Sequence, residues 1–161
     1  MTKKKVSAND NVVGQRSLFA KNMKNIEEYC KEHSLKLTPV RRKVFELLLE
    51  EKRGLGAYRI LDLLREAGFK SQPPVAYRAL EFLVENGFAH KIGSQNSFVA
   101  CTMPGEHHAP VFMICKKCDS VSEAPSSPSV SDLSHSLLEV GFEVEQTRIE
   151  AEGICSSCAD R

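Results

Sequence analysis

A chain of 161 residues can hold one domain or two small ones. No apolar run approaches membrane-spanning length, and the lysines of Met1–Asn11 are not followed by the apolar core of a signal peptide, so a cytoplasmic protein without a membrane partner is expected. The net charge of +1 conceals an asymmetry: residues 1–93 carry 18 Lys+Arg against 11 Asp+Glu, residues 94–161 carry 4 against 10. A basic half suits a polyanion and an acidic half some other task, although a solvated basic face would give the same count.

In chain order, a polar N-terminal tail over 1–17 is expected to be flexible, followed by a moderately amphipathic helix from Leu18 to His33. Thr38-Pro39 supplies an N-cap and a first helical residue for a second helix with an apolar stripe of Val40, Val44, Leu47 and Leu48. Ala57, Ile60, Leu61 and Leu64 have the i, i+3, i+4, i+7 spacing of a third helix, closed by Gly68. Pro73-Pro74 starts a fourth, with Ala76, Ala79, Leu80 and Leu83 inward and Gly87 at its end. Two strand-like runs, Phe88 to Ile92 and Phe98 to Cys101, flank the turn residues Gly93-Ser94-Gln95-Asn96.

Helices followed by a hairpin predict a winged helix-turn-helix over 18–102, the helix before the wing being the one that reads the major groove. Tyr77 and Arg78 sit in its first turns, off the apolar stripe; an arginine there can contact guanine in bidentate fashion, and the tyrosine a phosphate or a thymine methyl. Tyr58 is a second candidate, and Arg41, Arg42 and Lys43 are placed for phosphates; any one of these could instead be an ordinary surface residue.

Residues 103–110 are expected to act as a hinge to a small α/β domain over 111–161. Val111 to Cys115 and Val121 to Glu123 look like strands joined by a knuckle, a helix is expected from Val130 to Val140 with Gly141 as its stop, and Phe142 to Ala151 looks like a strand with a bulge or bend between Val144 and Ile149. About 50 residues make a poor independent core, which a metal staple and a partner subunit would both offset.

Cys115/Cys118 and Cys155/Cys158 form two Cys-x-x-Cys pairs separated by 36 residues. Each pair can aim two sulfurs at one ion, and four soft protein ligands make a closed tetrahedral zinc site with a structural role. Independent redox pairs or disulfides are the alternative, disfavoured by a reducing compartment and the lack of a thioredoxin-like pattern. A second candidate set lies near the junction. The hairpin turn sets His90 opposite Val99 with Cys101 as diagonal neighbour; His107 and His108 follow in the connection, and Glu123 ends the second strand beyond it. A mixed sulfur, nitrogen and oxygen set suits zinc, but each could also be a plain polar residue, with Cys101 a small core side chain. Cys30 and His135, each alone on a helix, are assigned no ligand role.

Leu37-Thr38-Pro39-Val40-Arg41-Arg42 resembles the LTPxR opening of the ferric uptake regulator family, and Pro73-Pro74-Val75-Ala76-Tyr77-Arg78-Ala79-Leu80 resembles its TVYRAL recognition helix. With His90, Cys101 and the two Cys-x-x-Cys pairs, the chain looks most like the family's zinc uptake regulator branch over roughly residues 20–158. The resemblance implies a homodimeric, zinc-responsive repressor that binds palindromic operator DNA, controls zinc-uptake genes and holds two zinc ions per chain, with no catalytic residue and no small-molecule substrate. By position it matches Cys115, Cys118, Cys155 and Cys158 to a structural zinc site, His90, Cys101, His108 and Glu123 to a regulatory one, and Tyr58, Tyr77 and Arg78 to DNA-facing positions. Val75-Ala76 departs from the usual Thr-Val and removes a hydroxyl near the helix start. His108 is preferred to His107 because its distance to Cys115 fits the zinc branch. A regulator sensing iron, nickel, manganese or peroxide is the alternative within the family. Outside it stand a zinc hydrolase with Glu123 as general base and a plain zinc-binding interaction module.

Overall fold

Thr38 opens the first well-packed helix as its sequence requires: with extended φ/ψ of −69° and 158°, its Oγ1 accepts the backbone N–H of Arg41 at 3.3 Å while Pro39 takes the first helical position. The computed structural model describes residues 8–104, 110–124, 135–145 and 147–159. The basic half contains α1 (Ala8–Glu32), α2 (Pro39–Glu50), α3 (Ala57–Glu66) and α4 (Pro73–Glu85), followed by the hairpin β1 (Ala89–Ile92) and β2 (Ser97–Ala100). The acidic half contains β3 (Val111–Cys115), β4 (Val121–Ala124), a helical segment α5 at residues 135–139, β5 (Ile149–Gly153) and a short α6 (Ser156–Ala159). The class is α+β: a winged helix followed by a small α/β unit.

Two elements differ from expectation. α1 begins at Ala8 rather than Leu18, inside the segment expected to be a flexible tail. No proline interrupts 8–17, and a helix anchored by buried Met23, Ile26 and Cys30 extends at one hydrogen bond per added residue once nucleated. The strand expected over Phe142–Ala151 forms only at Ile149–Gly153. Its partner β3 is five residues long and pairs in parallel from Val111↔Ile149 to Cys115↔Gly153, so among the described residues no ladder extends to those before 149. Residue 146, within the expected bulge, and 130–134 of the expected helix lie outside the described residues; Gly141 (φ +80°) closes α5 through hydrogen bonds Gly141 N to Leu138 O and Phe142 N to Leu137 O, both 2.9 Å.

The helical core packs Ile26 of α1, Val44 and Phe45 of α2, Ile60 and Leu64 of α3, Leu80 and Leu83 of α4, and Phe88 at the start of the hairpin, all fully buried. Leu55, between α2 and α3, exchanges two 2.9 Å hydrogen bonds with Phe98 and so extends the hairpin into a third strand-like line. A second, smaller core joins Ile92 of β1 to Phe112 and Ile114 of β3, with Val99 and Val121 against it. The wing therefore packs on the sheet of the acidic half, whose strand order is β4-β3-β5. Lys52 O accepts the Val121 N–H at 3.0 Å, and Arg53 bridges Ser120, which tie the α2–α3 loop to the start of β4.

Candidate metal centres and nucleic-acid face

The parallel register of β3 on β5 explains how two Cys-x-x-Cys pairs 36 residues apart converge. It sets Cys115, the last residue of β3, beside Gly153, so that Cys155 and the helical turn of α6 lie next to the knuckle. The ligand atoms of Cys115, Cys118, Cys155 and Cys158 all lie within 4.8 Å of one another. Sulfurs about 2.3 Å from a tetrahedral zinc stand about 3.8 Å apart; Cys118 Sγ and Cys155 Sγ are 3.8 Å apart.

The local electrostatics fit a dication. The backbone N–H of Cys155, 3.3 Å from Cys115 Sγ, is the strongest influence on that thiol and, with the amides of Cys118 and Lys117, brings it down to about 6 against the opposing effect of burial. Contact with the Ser120 hydroxyl, 3.2 Å away, lowers Cys118 as well. Cys158 is pushed up to about 12, first by its hydrogen bond with the Cys155 sulfur and then by the other thiols of the cluster. The fold thus favours the first thiolate and opposes the last, an opposition that a bound cation removes.

The second cluster gathers His90 of β1, Cys101 just after β2 and Glu123 of β4, again with ligand atoms within 4.8 Å of one another. The antiparallel register His90↔Val99 sets the imidazole on the same face as Cys101, as the turn position predicts. His90 and Cys101 are buried, and His90 Nε2 lies 3.5 Å from Glu123 Oε1. That spacing is close to the edge of about 3.4 Å between a nitrogen and an oxygen sharing one tetrahedral zinc. Glu123 Oε2 accepts both the backbone N–H and the hydroxyl of Thr102, each at 2.8 Å. Burial raises the Glu123 pKa, but hydrogen bonds from His90 and from Thr102 more than offset it and hold the carboxyl at about 2. Such a carboxylate is a ready anionic ligand. His107 and His108, either of which would supply a fourth ligand, lie outside the described residues. Thr102 was not singled out by the sequence: a threonine in a connecting segment has no spacing that announces a partner 21 residues away. A cleft of about 670 Å³ is bordered by Cys101 and Glu123 and also by Cys118 and Cys155, so one solvent-accessible space touches both clusters.

On the helical half, Tyr58 at the start of α3 is 71% exposed and Tyr77 on α4 is 41% exposed. Both line a groove of about 460 Å³ with Leu80, Lys91 and Phe98. Arg78 is exposed in the first turns of α4 and forms no ion pair among the described residues. Arg41 and Arg42 are differently placed. The Arg41 guanidinium stacks 3.7 Å over the Phe82 ring and donates to Lys36 O at 2.6 Å, while Arg42 pairs with Glu27 at 2.6 Å. Arg41 therefore fastens the start of α2 to α4, whereas the half-exposed Arg42 pair is of the kind worth little in water and readily exchanged for a phosphate. Asp62 and Arg65 pair with each other on the exposed face of α3 at 3.5 Å. No helix among the described residues is long and apolar enough to cross a membrane.

A winged helix joined to a sheet, with one cluster of candidate metal ligands within the sheet unit and a second across the seam between them, is the architecture of a metal-responsive DNA-binding protein. The ferric uptake regulator family model matches residues 32–152, and the chain belongs to that family. It is similar to the zinc uptake regulation protein of Escherichia coli strain K12, 39% identical over 136 residues, which span 83% of this chain and 79% of that protein. Among solved structures, a zinc uptake regulator complexed with zinc and DNA matches with a TM-score of 0.83 at 36% identity, over 88% of this chain and 95% of that one. The holo form of XcZur gives 0.80 at 38% identity, covering 86% and 97% of the two chains. Its apo form gives 0.53 at 36% identity, covering 89% and 99%.

Proposed function

We propose that this chain is a zinc-responsive repressor that binds operator DNA as a homodimer when its second cluster is loaded, and thereby controls zinc-uptake genes. The observation that carries this reading is the composition of that cluster. His90 and Cys101 belong to the wing, Glu123 to the sheet beyond the hinge, so one site spans the seam between the DNA-binding and the α/β parts. The two forms of XcZur lend support: nearly equal identity with TM-scores of 0.80 and 0.53 sets this chain's arrangement with the holo form. The soft thiolate of Cys101 among nitrogen and oxygen donors favours zinc over iron or manganese. Under this reading each chain holds two zinc ions, one at the four cysteines and one at His90, Cys101, Glu123 and His108, with residues 103–110 as the hinge.

When bound, zinc supplies a dication that draws the ligands of the two parts toward one point. The chain's residues do the rest. The closed seam sets α4 against a fixed sheet, and two copies held at a fixed spacing present two such helices to successive major grooves, about 34–36 Å apart. Met113, Leu138, Val140, Phe142 and Ile154 are 48–78% exposed on the acidic half, a set of apolar side chains that a second copy of the chain would cover. Glu123, anchored by Thr102, pulls on the base of the wing rather than acting on a substrate.

Electrophoretic retardation of candidate operator DNA under graded free zinc tests the reading: retardation should rise with zinc and vanish on chelation, and zinc-independent binding would contradict it. In the same assay Arg78→Ala should lose about 1–3 kcal/mol of discrimination at one base pair per half-site. Arg42→Ala should instead weaken binding to every sequence and reduce the salt slope by about one unit. A uniform loss for Arg78→Ala would place this arginine on the phosphate backbone rather than on a base.

A further inference from the structure

Besides the apolar packing of Ile92 and Val99 on β3 and β4, polar contacts among the described residues hold the hairpin to the sheet at its base and at its tip, and only the base belongs to a metal cluster. At its base, Glu123 meets His90 and Thr102. At its tip, the Glu150 carboxylate of β5 accepts the Gly93 N–H on Oε1 at 2.6 Å and the Ser94 N–H on Oε2 at 3.0 Å. These contacts link residues 57 and 56 positions apart. Successive amides of a tight turn form a concave cradle for an anion, and a carboxylate that fills it with both oxygens makes charge-assisted hydrogen bonds fixed in direction. The Ser94 side chain is the largest influence lowering the Glu150 pKa, ahead of the two backbone amides. The cradle is closely fitted: a Cβ added at Gly93 would lie 3.3 Å from Glu150 Oε1.

A hairpin anchored at one end can still swing about that end; anchored at base and tip it has one orientation. The anchor at the tip needs no metal. It also sits on a strand paired with β3 through Phe112↔Glu150, three residues before Gly153 and the second cysteine pair, so it refers the wing tip to the segment that the four-cysteine cluster holds. Resting on the regulator reading above, we propose that Glu150 is a positioning residue that holds the wing tip on β5 and so sets the zinc concentration at which the protein becomes competent to bind DNA. By favouring the closed seam in advance, it lowers what the zinc at His90, Cys101 and Glu123 must supply. A ligand that prefers the closed form binds with an apparent affinity reduced by the fraction of chains that are open.

The test compares the zinc-loaded dimer with Glu150→Gln, Ser94→Ala and the double variant, and with Glu152→Gln as a control on the same strand, whose carboxylate pairs, among the described residues, with the exposed Lys116 at 3.2 Å. Free zinc at half-maximal operator binding should rise about fivefold or more for Glu150→Gln, the lower end of typical coupling between sites. It should rise in the same direction but less for Ser94→Ala, and stay put for Glu152→Gln. The double variant should shift no further than Glu150→Gln alone, because both changes remove parts of one contact. Operator affinity at saturating zinc should return close to wild type, and the metal held by the four cysteines should be unchanged; a residue that merely stabilised the fold would lower both. An unmoved zinc midpoint for Glu150→Gln, an equal shift for Glu152→Gln, or additive shifts in the double variant overturns the proposal. Should Glu150→Gln fail to fold, an unmoved midpoint for Ser94→Ala overturns it. A wild type without zinc-dependent binding sinks the regulator reading itself, whereas a zinc-dependent wild type with an unmoved variant sinks the anchor alone.

Discussion

Cys158→Ser, and equally Cys115→Ser, should leave the protein with at most one zinc per chain, a much lower thermal midpoint and no stable dimer. Among the described residues, little else holds the acidic half: its own contribution to the small buried core is Phe112 and Ile114, since the third member, Ile92, comes from the wing. Its described sheet is three short strands, and α6 is a single turn that follows Cys155 and carries Cys158. Apparent binding free energies of structural zinc, about 10–16 kcal/mol in small zinc domains, equal or exceed the whole stability of a typical domain, about 5–15 kcal/mol, and most of that binding energy is folding energy. Metal content and thermal unfolding of the purified variants check this. A Cys158→Ser protein that keeps two zinc ions, its midpoint and its dimer would show that the four cysteines do not share a structural ion.

Cys101→Ser and His90→Ala should behave in the opposite way. Both residues lie where the wing meets the sheet, away from the knuckle, so the variants should fold, dimerise and retain one zinc per chain. They should lose zinc-dependent DNA binding by about 5–150-fold, the range of a coupling of about 1–3 kcal/mol. Equilibrium binding to operator with and without added zinc measures the loss. A Cys101→Ser protein that still tightens on DNA normally as zinc is added would remove the second cluster from the mechanism. Pairing these variants with Cys158→Ser separates the two roles: one set loses the fold and the other loses only the response.

The helical half was legible in the sequence because its signals are local. Thr38-Pro39, Pro73-Pro74, the i, i+3, i+4 stripes and the glycines after α3 and α4 act within a few residues of themselves, and Gly68 and Gly87 take φ of +86° and +71° at the helix ends where they were expected. His90 and Cys101 were legible for the same reason, since a four-residue turn fixes the register of a short hairpin. What the sequence hid is long-range. The extent of β5 is set by the five residues of β3 available to pair with it, not by its own alternation. The stacking of Arg41 over Phe82 of α4 is a contact between residues 41 positions apart that no local pattern announces. Thr102 and Glu150 carry no pattern of their own and take their roles from partners 21 and 56–57 residues away. The early start of α1 had a different cause: its polar residues do not advertise a helix that the packed stretch from Met23 onward extends backward.

Zinc at the seam and DNA at the wing should select the same closed arrangement. Two ligands that favour one state must strengthen each other equally, by thermodynamic necessity. The direct measurement is the affinity of the full-length dimer for its second zinc, by competition with a calibrated chelator, in the absence and in the presence of saturating operator DNA. Operator should tighten zinc binding by the same factor, about 5–150-fold, by which zinc tightens operator binding. A zinc affinity unchanged by operator would contradict the account, even if both clusters hold metal.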